Sequence, residues 1–149
     1  MAGEKICTWD FDVTGITDYG ITLEAILSGK EKIPPQGARI DVAFEGRASG
    51  RLSGQVRGVD YMSIRADASV NLHIHATILT DDGHRIALSA DGTFLPRPGE
   101  PIADIRENVR LTTAAAEYTW VNAHQIWAPG TVNVAAGRFT LTLTWSEGP

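Results

Sequence analysis

Hydrophobic and polar residues alternate along much of the chain. Every second residue is apolar from Cys7 to Val13, and the same period returns over residues 40–45 and 138–145. Because successive side chains of a strand point to opposite faces, this period predicts half-buried β-strands. Further strand-like runs cover residues 51–57, 61–66, 70–79, 85–94, 109–111 and 118–127.

Turn signals separate these runs at the spacing of β-hairpins, as at Asp81-Asp82-Gly83 and Pro129-Gly130. Helical patterns are confined to single turns, which we expect within residues 23–28, 104–108 and 112–117. Segment 95–108 contains Pro96, Pro98 and Pro101 and reads as the one long irregular connection. Such a segment is a candidate flap over the mouth of a barrel.

About eight to ten antiparallel strands in 149 residues fit either a closed barrel or a sandwich. Closure leaves no unpaired edge strand, which favours the barrel. The sequence therefore predicts an all-β, closed antiparallel barrel with at most one or two short helical turns. We expect a single domain over residues 1–149.

Composition narrows the function. The net charge is −5, with no dense Lys/Arg cluster, which argues against nucleic acid as a partner. The single cysteine, Cys7, lies on the apolar face of its strand, so it indicates a core residue and excludes a Cys-based zinc site. No run has the length of a membrane span or of a signal peptide, so we expect a cytoplasmic protein without a membrane partner.

His73 and His75 are the strongest chemical hint in the chain. They are two positions apart in run 70–79, so both imidazoles share one strand face. Histidine is suited to proton transfer near neutral pH and is a common metal ligand. The five residues after His75 include no glutamate that would complete a cupin-like metal site, which favours acid–base chemistry without metal. The alternative is that both rings face solvent, because the other face of the run is the more apolar one.

Residues 118–124 form a second candidate group. On a strand, Tyr118, Trp120, Asn122 and His124 share one face and combine aromatic, amide and imidazole groups. An outward face seldom carries two such aromatics, so the stripe is a candidate pocket lining. The alternative is a core tryptophan with a satisfied N–H.

Tyr61 and Arg65 form a third group on one face of run 61–66. An arginine beside a tyrosine hydroxyl can hold a carbonyl oxygen as it gains charge. The alternative is a surface arginine in a weak ion pair. Asp60 is a carboxylate available to such an arginine, and Glu107 follows the proline-rich segment, where it could act as a general base.

Several short motifs resemble a known family in their order and spacing. They are Phe44-Glu45-Gly46, Gly58-Val59-Asp60-Tyr61, Thr80-Asp81-Asp82-Gly83 and Tyr118-x-Trp120-x-Asn122. Together they are similar to domain of unknown function 3237, also called uncharacterised protein family 0311, over residues 6–146. The resemblance implies a calycin-like barrel with an internal cavity, a cytoplasmic location, and a homodimer or higher homo-oligomer.

The chain departs from that family at the histidine pair. Just before the Thr80-Asp81-Asp82-Gly83 turn, relatives carry Asp-x-Arg where this chain has His73 and His75. The resemblance implies that this polar pair lines the cavity. It also removes any direct transfer of activity, since a carboxylate–guanidinium pair and two imidazoles perform different chemistry.

The leading hypothesis is a cofactor-independent acid/base enzyme of isomerase, cyclase or hydratase/lyase type, acting on a small hydrophobic carbonyl compound inside the barrel. His73 and His75 would be the acid and base, with Arg65, Tyr61 and Asn122 as oxyanion donors. The remaining substrate-binding candidates are Trp120, Tyr118, Asp60, Glu107 and His124. The alternatives are a non-catalytic barrel for a small hydrophobic ligand and a His-ligated, metal-dependent enzyme. No cofactor or metal is expected under the leading hypothesis.

Overall fold

The computed structural model describes residues 4–145. Eight strands follow one another along the chain, with one short α-helix, α1 (Leu23–Leu27), and one 3₁₀ helix (Ala116–Ala123). The strands are β1 (Glu4–Asp18), β2 (Ala38–Gly50), β3 (Gly54–Ile64), β4 (Val70–Thr80), β5 (Arg85–Pro96), β6 (Ile102–Thr112), β7 (Ile126–Asn133) and β8 (Arg138–Trp145). No helix within residues 4–145 is long and apolar enough to cross a membrane.

The strands form one closed barrel in which each is antiparallel to the next. β8 pairs back with β1, from Glu4↔Trp145 to Asp12↔Arg138. This confirms the predicted all-β, closed antiparallel barrel. The helical turn expected within residues 23–28 is also present, as α1.

The sequence prediction is wrong for segment 95–108. Segment 95–108 is not an irregular flap, because β5 runs to Pro96 and β6 begins at Ile102, so that only a tight hairpin turn lies between them. The helical turn expected at 104–108 is part of β6. The three prolines lie in or beside the hairpin turn, where a missing N–H costs no ladder bond.

Strand alternation builds the core. On β1, Cys7, Trp9 and Phe11 point inward and are buried. Phe11 packs against Phe44 and Phe139, with ring centroids 4.9 and 5.1 Å apart. Burial raises the pKa of the Cys7 thiol to about 12, so this cysteine is an inert core residue.

The two ends of the barrel differ. The α1 end carries α1 in the β1–β2 connection, where the Thr22 side chain caps the helix by accepting from the Ala25 N–H at 3.1 Å. The opposite end, called the 3₁₀ end, is covered by the 3₁₀ helix between β6 and β7. There Val121 is fully buried, and the Asn122 amide bonds both the N–H and the C=O of Thr113, each at 2.8 Å. These contacts close the 3₁₀ end.

Candidate functional site

The barrel encloses a cavity of about 90 Å³ that opens toward the α1 end. Ile16 lines the cavity and is 56% exposed, which places the mouth near the end of β1. One water needs about 10–15 Å³ of such space, so the cavity has room for several waters or a small ring. The rest of the rim is formed by Leu23 of α1 together with Val134 and Gly137 of the β7–β8 turn.

The cavity wall is apolar apart from two carboxyl groups. Phenylalanine side chains form part of it: Phe44, Phe94 and Phe139. Among the described lining residues, only Asp60 and Glu107 can ionise. They project from β3 and β6, three of eight strand positions apart around the barrel, so they approach the interior from roughly opposite walls.

Glu107 is the more deeply buried of the two. Its side chain is 3% exposed, and its Oε1 atom has no hydrogen-bond partner among the described atoms. Burial, and to a smaller extent the negative charge of Asp60, raises the pKa of Glu107 to about 8. At neutral pH this side chain is therefore a neutral carboxylic acid.

The surroundings of Asp60 favour the charged carboxylate more than those of Glu107 do. Burial raises the pKa of Asp60 to about 7, while a hydrogen bond from the His73 backbone N–H opposes the rise. The β3–β4 ladder is interrupted between the pairs Asp60↔Ile74 and Ser63↔Asn71. Within this interruption the His73 N–H donates to the Asp60 carboxylate, which takes the place of a backbone carbonyl acceptor on β3.

The cross-strand neighbours of Glu107 are small. Its partners in the two adjoining strands are Gly92 on β5 and Ala128 on β7. A Cβ atom at Gly92 would lie 2.1 Å from the Arg106 carbonyl oxygen, so this position admits no side chain.

This arrangement can carry out acid–base chemistry. Two carboxyl groups in one apolar site, with different pKa values near neutrality, supply a proton donor and a proton acceptor at the same time. The position of each carboxyl group in its strand could be read from the sequence. Asp60 continues the inward-facing series that includes Val56 and Gly58, and Glu107 lies between the inward-facing Ile105 and Val109. A charged residue on an otherwise apolar strand face indicates a buried carboxyl.

His73 and His75 do not line the cavity. Both are exposed on the outer face of β4, while Leu72 and Ile74 fill the inward positions. The expectation that the pair faces the interior is wrong, because strand alternation buries the more apolar set. The two imidazole rings are neighbours on the outside, with centroids 5.0 Å apart.

Tyr61 and Arg65 also lie outside the cavity. The Tyr61 ring meets the edge of His75 at 6.1 Å and packs against the Arg39 guanidinium at 5.2 Å. Arg65 is exposed in the turn after β3. Their predicted place beside a substrate oxygen is therefore wrong, because Asp60 takes the inward position and its neighbour Tyr61 must point outward.

Tyr118, Trp120, Asn122 and His124 lie at the closed 3₁₀ end, away from the mouth. The predicted strand is wrong here, since residues 116–123 form the 3₁₀ helix and His124 follows it. The Tyr118 hydroxyl donates to Asp82 at 2.7 Å, and the Arg51 guanidinium stacks on the Trp120 ring at 4.1 Å. These side chains hold the end of the barrel and do not line the cavity.

Among the described residues, one group of three or more potential metal ligands comes within 4.8 Å: Asp82, His84 and Glu117. It lies at the 3₁₀ end and not in the cavity. The Nε2 atom of His84 contacts a carboxylate oxygen of Glu117, and Asp82 accepts from Tyr118. These contacts account for the cluster without an ion.

The fold and the cavity define a class: small closed β-barrels with an apolar interior that contains carboxyl groups. Residues 21–144 match the family described as "Protein of unknown function (DUF3237)", and the chain belongs to that family. The resemblance inferred from sequence motifs is thereby confirmed. No curated protein matches the sequence significantly.

Solved structures with the same fold come from several organisms. A protein of unknown function from Clostridium acetobutylicum is 19% identical, with a TM-score of 0.79 over 99% of this chain and 100% of that one. One from Rhodopseudomonas palustris is 20% identical, with a TM-score of 0.74 over 95% of each chain. A protein called an enzyme from Penicillium herquei is 15% identical, with a TM-score of 0.63 over 98% of this chain and 96% of that one. At these identities the likeness shows the fold alone.

Proposed function

We propose that this protein is a cofactor-independent enzyme that moves protons on a small, mostly apolar carbonyl compound bound in the barrel. One observation carries the proposal. Within the described part of the chain, the ionisable groups lining the cavity are Asp60 and Glu107, and burial raises both pKa values into the neutral range. Perturbed carboxyl pairs of this kind are typical of acid–base sites.

Asp60 is the general base of the proposed reaction. Its lower pKa, about 7, leaves a substantial carboxylate fraction at neutral pH. The His73 N–H binds Oδ1 at 3.1 Å, which fixes the carboxylate in the wall. The carboxylate takes a proton from a carbon next to the substrate carbonyl. The electron pair of that C–H bond forms a C=C bond, and the π pair of the carbonyl group moves onto its oxygen.

Glu107 is the general acid. As a neutral carboxylic acid it donates a hydrogen bond to the carbonyl oxygen and stabilises the enolate that forms. Its Oε1 atom lacks a partner within the described structure, so the substrate supplies contacts that the protein does not. In a β,γ-unsaturated ketone, return of the proton from Asp60 to the γ carbon completes an isomerisation. In a β-hydroxy ketone, the enolate expels the β-hydroxyl group, which takes the proton from Asp60 and leaves as water.

A non-catalytic binding barrel is the second candidate, favoured by the apolar wall. A barrel that only holds an apolar ligand gains nothing from two buried carboxyl groups without cationic partners, each of which costs stability. Their presence therefore favours catalysis. The barrel also has the fold of the Penicillium herquei protein called an enzyme, so this architecture is compatible with activity.

The test is exchange of carbon-bound hydrogen for deuterium. Cyclopentanone and cyclohexanone are incubated with the protein in D₂O, and loss of the α-proton signal is followed by NMR. We expect exchange above the buffer rate, with D60N and E107Q each slowing it at least about 100-fold, as general acid–base catalysis contributes 10²–10⁴-fold. E100Q, a glutamate exposed in the β5–β6 turn, and the H73A/H75A double variant should keep the wild-type rate.

Other outcomes reject the proposal. Exchange that persists in both D60N and E107Q removes the carboxyl pair as the catalyst. Loss of exchange in H73A/H75A restores the histidines as the acid and base. A wild-type protein that binds either ketone in the cavity without any exchange is a binding barrel.

A further inference from the structure

The His73–His75 pair, which the proposed reaction does not use, has the geometry of a chelating site. Both side chains project from consecutive outward positions of one regular strand and are exposed. Their ring centroids are 5.0 Å apart and their planes are inclined by 53°. The strand holds this spacing, so the two imidazoles need no large rearrangement to share a ligand.

The separation matches two imidazoles bound to one ion. With metal–nitrogen bonds of about 2.0–2.1 Å, two rings on one tetrahedral or square-planar ion have centroids roughly 5 Å apart. Rotation about the side-chain torsions is enough to turn one nitrogen of each ring toward the shared ion.

A carboxylate is placed to complete the site. Asp91 on β5 is the direct cross-strand partner of His73, and Ser89 is the partner of His75. Directly paired residues have Cβ atoms about 4.5–5.5 Å apart. As placed, the ligand atoms of His73, His75 and Asp91 do not all lie within 4.8 Å of one another, so these side chains must rotate about their torsions to share an ion. His73 and Asp91 also line the same shallow outer groove, together with Asn108 and Arg110.

We propose that His73, His75 and Asp91 form a surface site for one transition-metal ion, Zn²⁺ or Cu²⁺, on the outer face of the barrel. Imidazole nitrogen suits these ions, and Cu²⁺ binds such ligands more tightly than Zn²⁺. Mg²⁺ and Ca²⁺ prefer oxygen ligands and are excluded by the same chemistry. The positive charge of Arg110 in the groove limits the affinity.

A metal ion bound by His73, His75 and Asp91 would link β4 to β5 on the outer surface, and none of these three residues lines the cavity. The site therefore stands whether or not the proposed enzyme activity holds. It also differs from the group at the 3₁₀ end, which has one imidazole, His84, already engaged with Glu117. The four histidines of the chain thus divide into one adjacent pair and two that lie elsewhere in the sequence, His84 and His124, which supply internal controls.

Calorimetric titration of the full chain with ZnCl₂ and with CuCl₂ tests the site. We expect one ion per chain at this site, and at least about tenfold weaker binding in H73A and in H75A, since even outer-shell changes cost 10–100-fold. D91N should weaken binding by less, and H84A and H124A should match the wild type.

A second readout is thermal unfolding, because an ion that binds only the folded chain raises its melting temperature. We expect Zn²⁺ to raise the melting temperature of the wild type and H84A but not of H73A/H75A. Absence of saturable binding up to millimolar metal overturns the proposal. So does equal binding in H73A, H75A and the wild type, and loss of binding in H84A would move the ion to the 3₁₀ end.

Discussion

The Asp60 carboxylate accepts a hydrogen bond from the backbone N–H of His73, with 3.1 Å between Oδ1 and N. Glu107 receives no such bond at its Oε1 atom from the described residues. This difference orders the two carboxyl groups: Asp60 loses its proton first and Glu107 keeps its own. Near neutral pH the cavity therefore holds one base and one acid, which is the state that the proposed reaction needs.

The exchange rate should have a bell-shaped dependence on pH. It rises as Asp60 ionises, near its pKa of about 7, and falls as Glu107 loses its proton, near its pKa of about 8. Initial exchange rates of cyclohexanone, measured from pH 5 to 10, check this. In E107Q the falling limb should disappear, and a wild-type rate that simply climbs with hydroxide would contradict the acid role of Glu107.

Stability should decrease as the pH rises through the neutral range. The pKa of Glu107 is about 8 in the folded chain against an ordinary 4.5, so the folded state holds a proton that the unfolded state releases. Folding is then weakened progressively between about pH 4.5 and 8, by on the order of a few kcal/mol at about 1.4 kcal/mol per unit. Urea unfolding at pH 5 and pH 9 measures the difference.

The E107Q variant isolates the Glu107 contribution. An amide does not titrate, so the loss of stability between pH 5 and pH 9 should shrink, and E107Q should be more stable than the wild type at pH 9. E100Q, which changes an exposed glutamate, should retain the full pH dependence. An unchanged slope in E107Q would show that Glu107 is not the group responsible.

Asn122 should be structural and not catalytic. N122A removes both hydrogen bonds to the Thr113 backbone. We expect this loss to lower the free energy of unfolding by about 1–3 kcal/mol. We expect a lower denaturation midpoint together with unchanged ketone exchange at a temperature where the variant is folded. Loss of exchange in a fully folded N122A protein would restore its predicted place as an oxyanion donor.

The cavity should discriminate against anions. Its described lining includes two carboxyl groups and no cationic side chain, so a carboxylate ligand meets like charge in an apolar site. Ligand-observed NMR at pH 8 should detect binding of cyclohexanone but not of cyclohexanecarboxylate. Lowering the pH to 5 protonates both carboxyl groups and should partly restore binding of the acid. Equal binding of both ligands at pH 8 would contradict this picture.

The barrel was predictable from sequence because alternation is a local property. The residues of each strand alone indicate which of its faces is buried, as the buried series Cys7, Trp9 and Phe11 shows. The same rule indicated that Leu72 and Ile74 form the apolar face of β4, which is the face that the structure buries. The family comparison pointed the other way and led to the wrong orientation of the histidines.

The site was harder to predict because it depends on which residues meet across the barrel. Residues 118–124 alternate aromatic and small side chains, as a strand does. They form part of a 3₁₀ helix instead, and this helix packs Val121 into the end of the barrel. Glu107 was misplaced for a related reason, since the nearby prolines suggested a loop. Asp60 and Glu107 are 47 positions apart in sequence, and only barrel closure brings them to one cavity.

His73 donates its backbone N–H to the Asp60 carboxylate in the cavity wall, while its side chain lies on the outer surface of the barrel. Every amino acid except proline carries the N–H that Asp60 accepts, so the interior is insensitive to which side chain occupies position 73. A substitution at position 73 can therefore change the outer surface of β4 while the donor to the interior carboxylate stays in place.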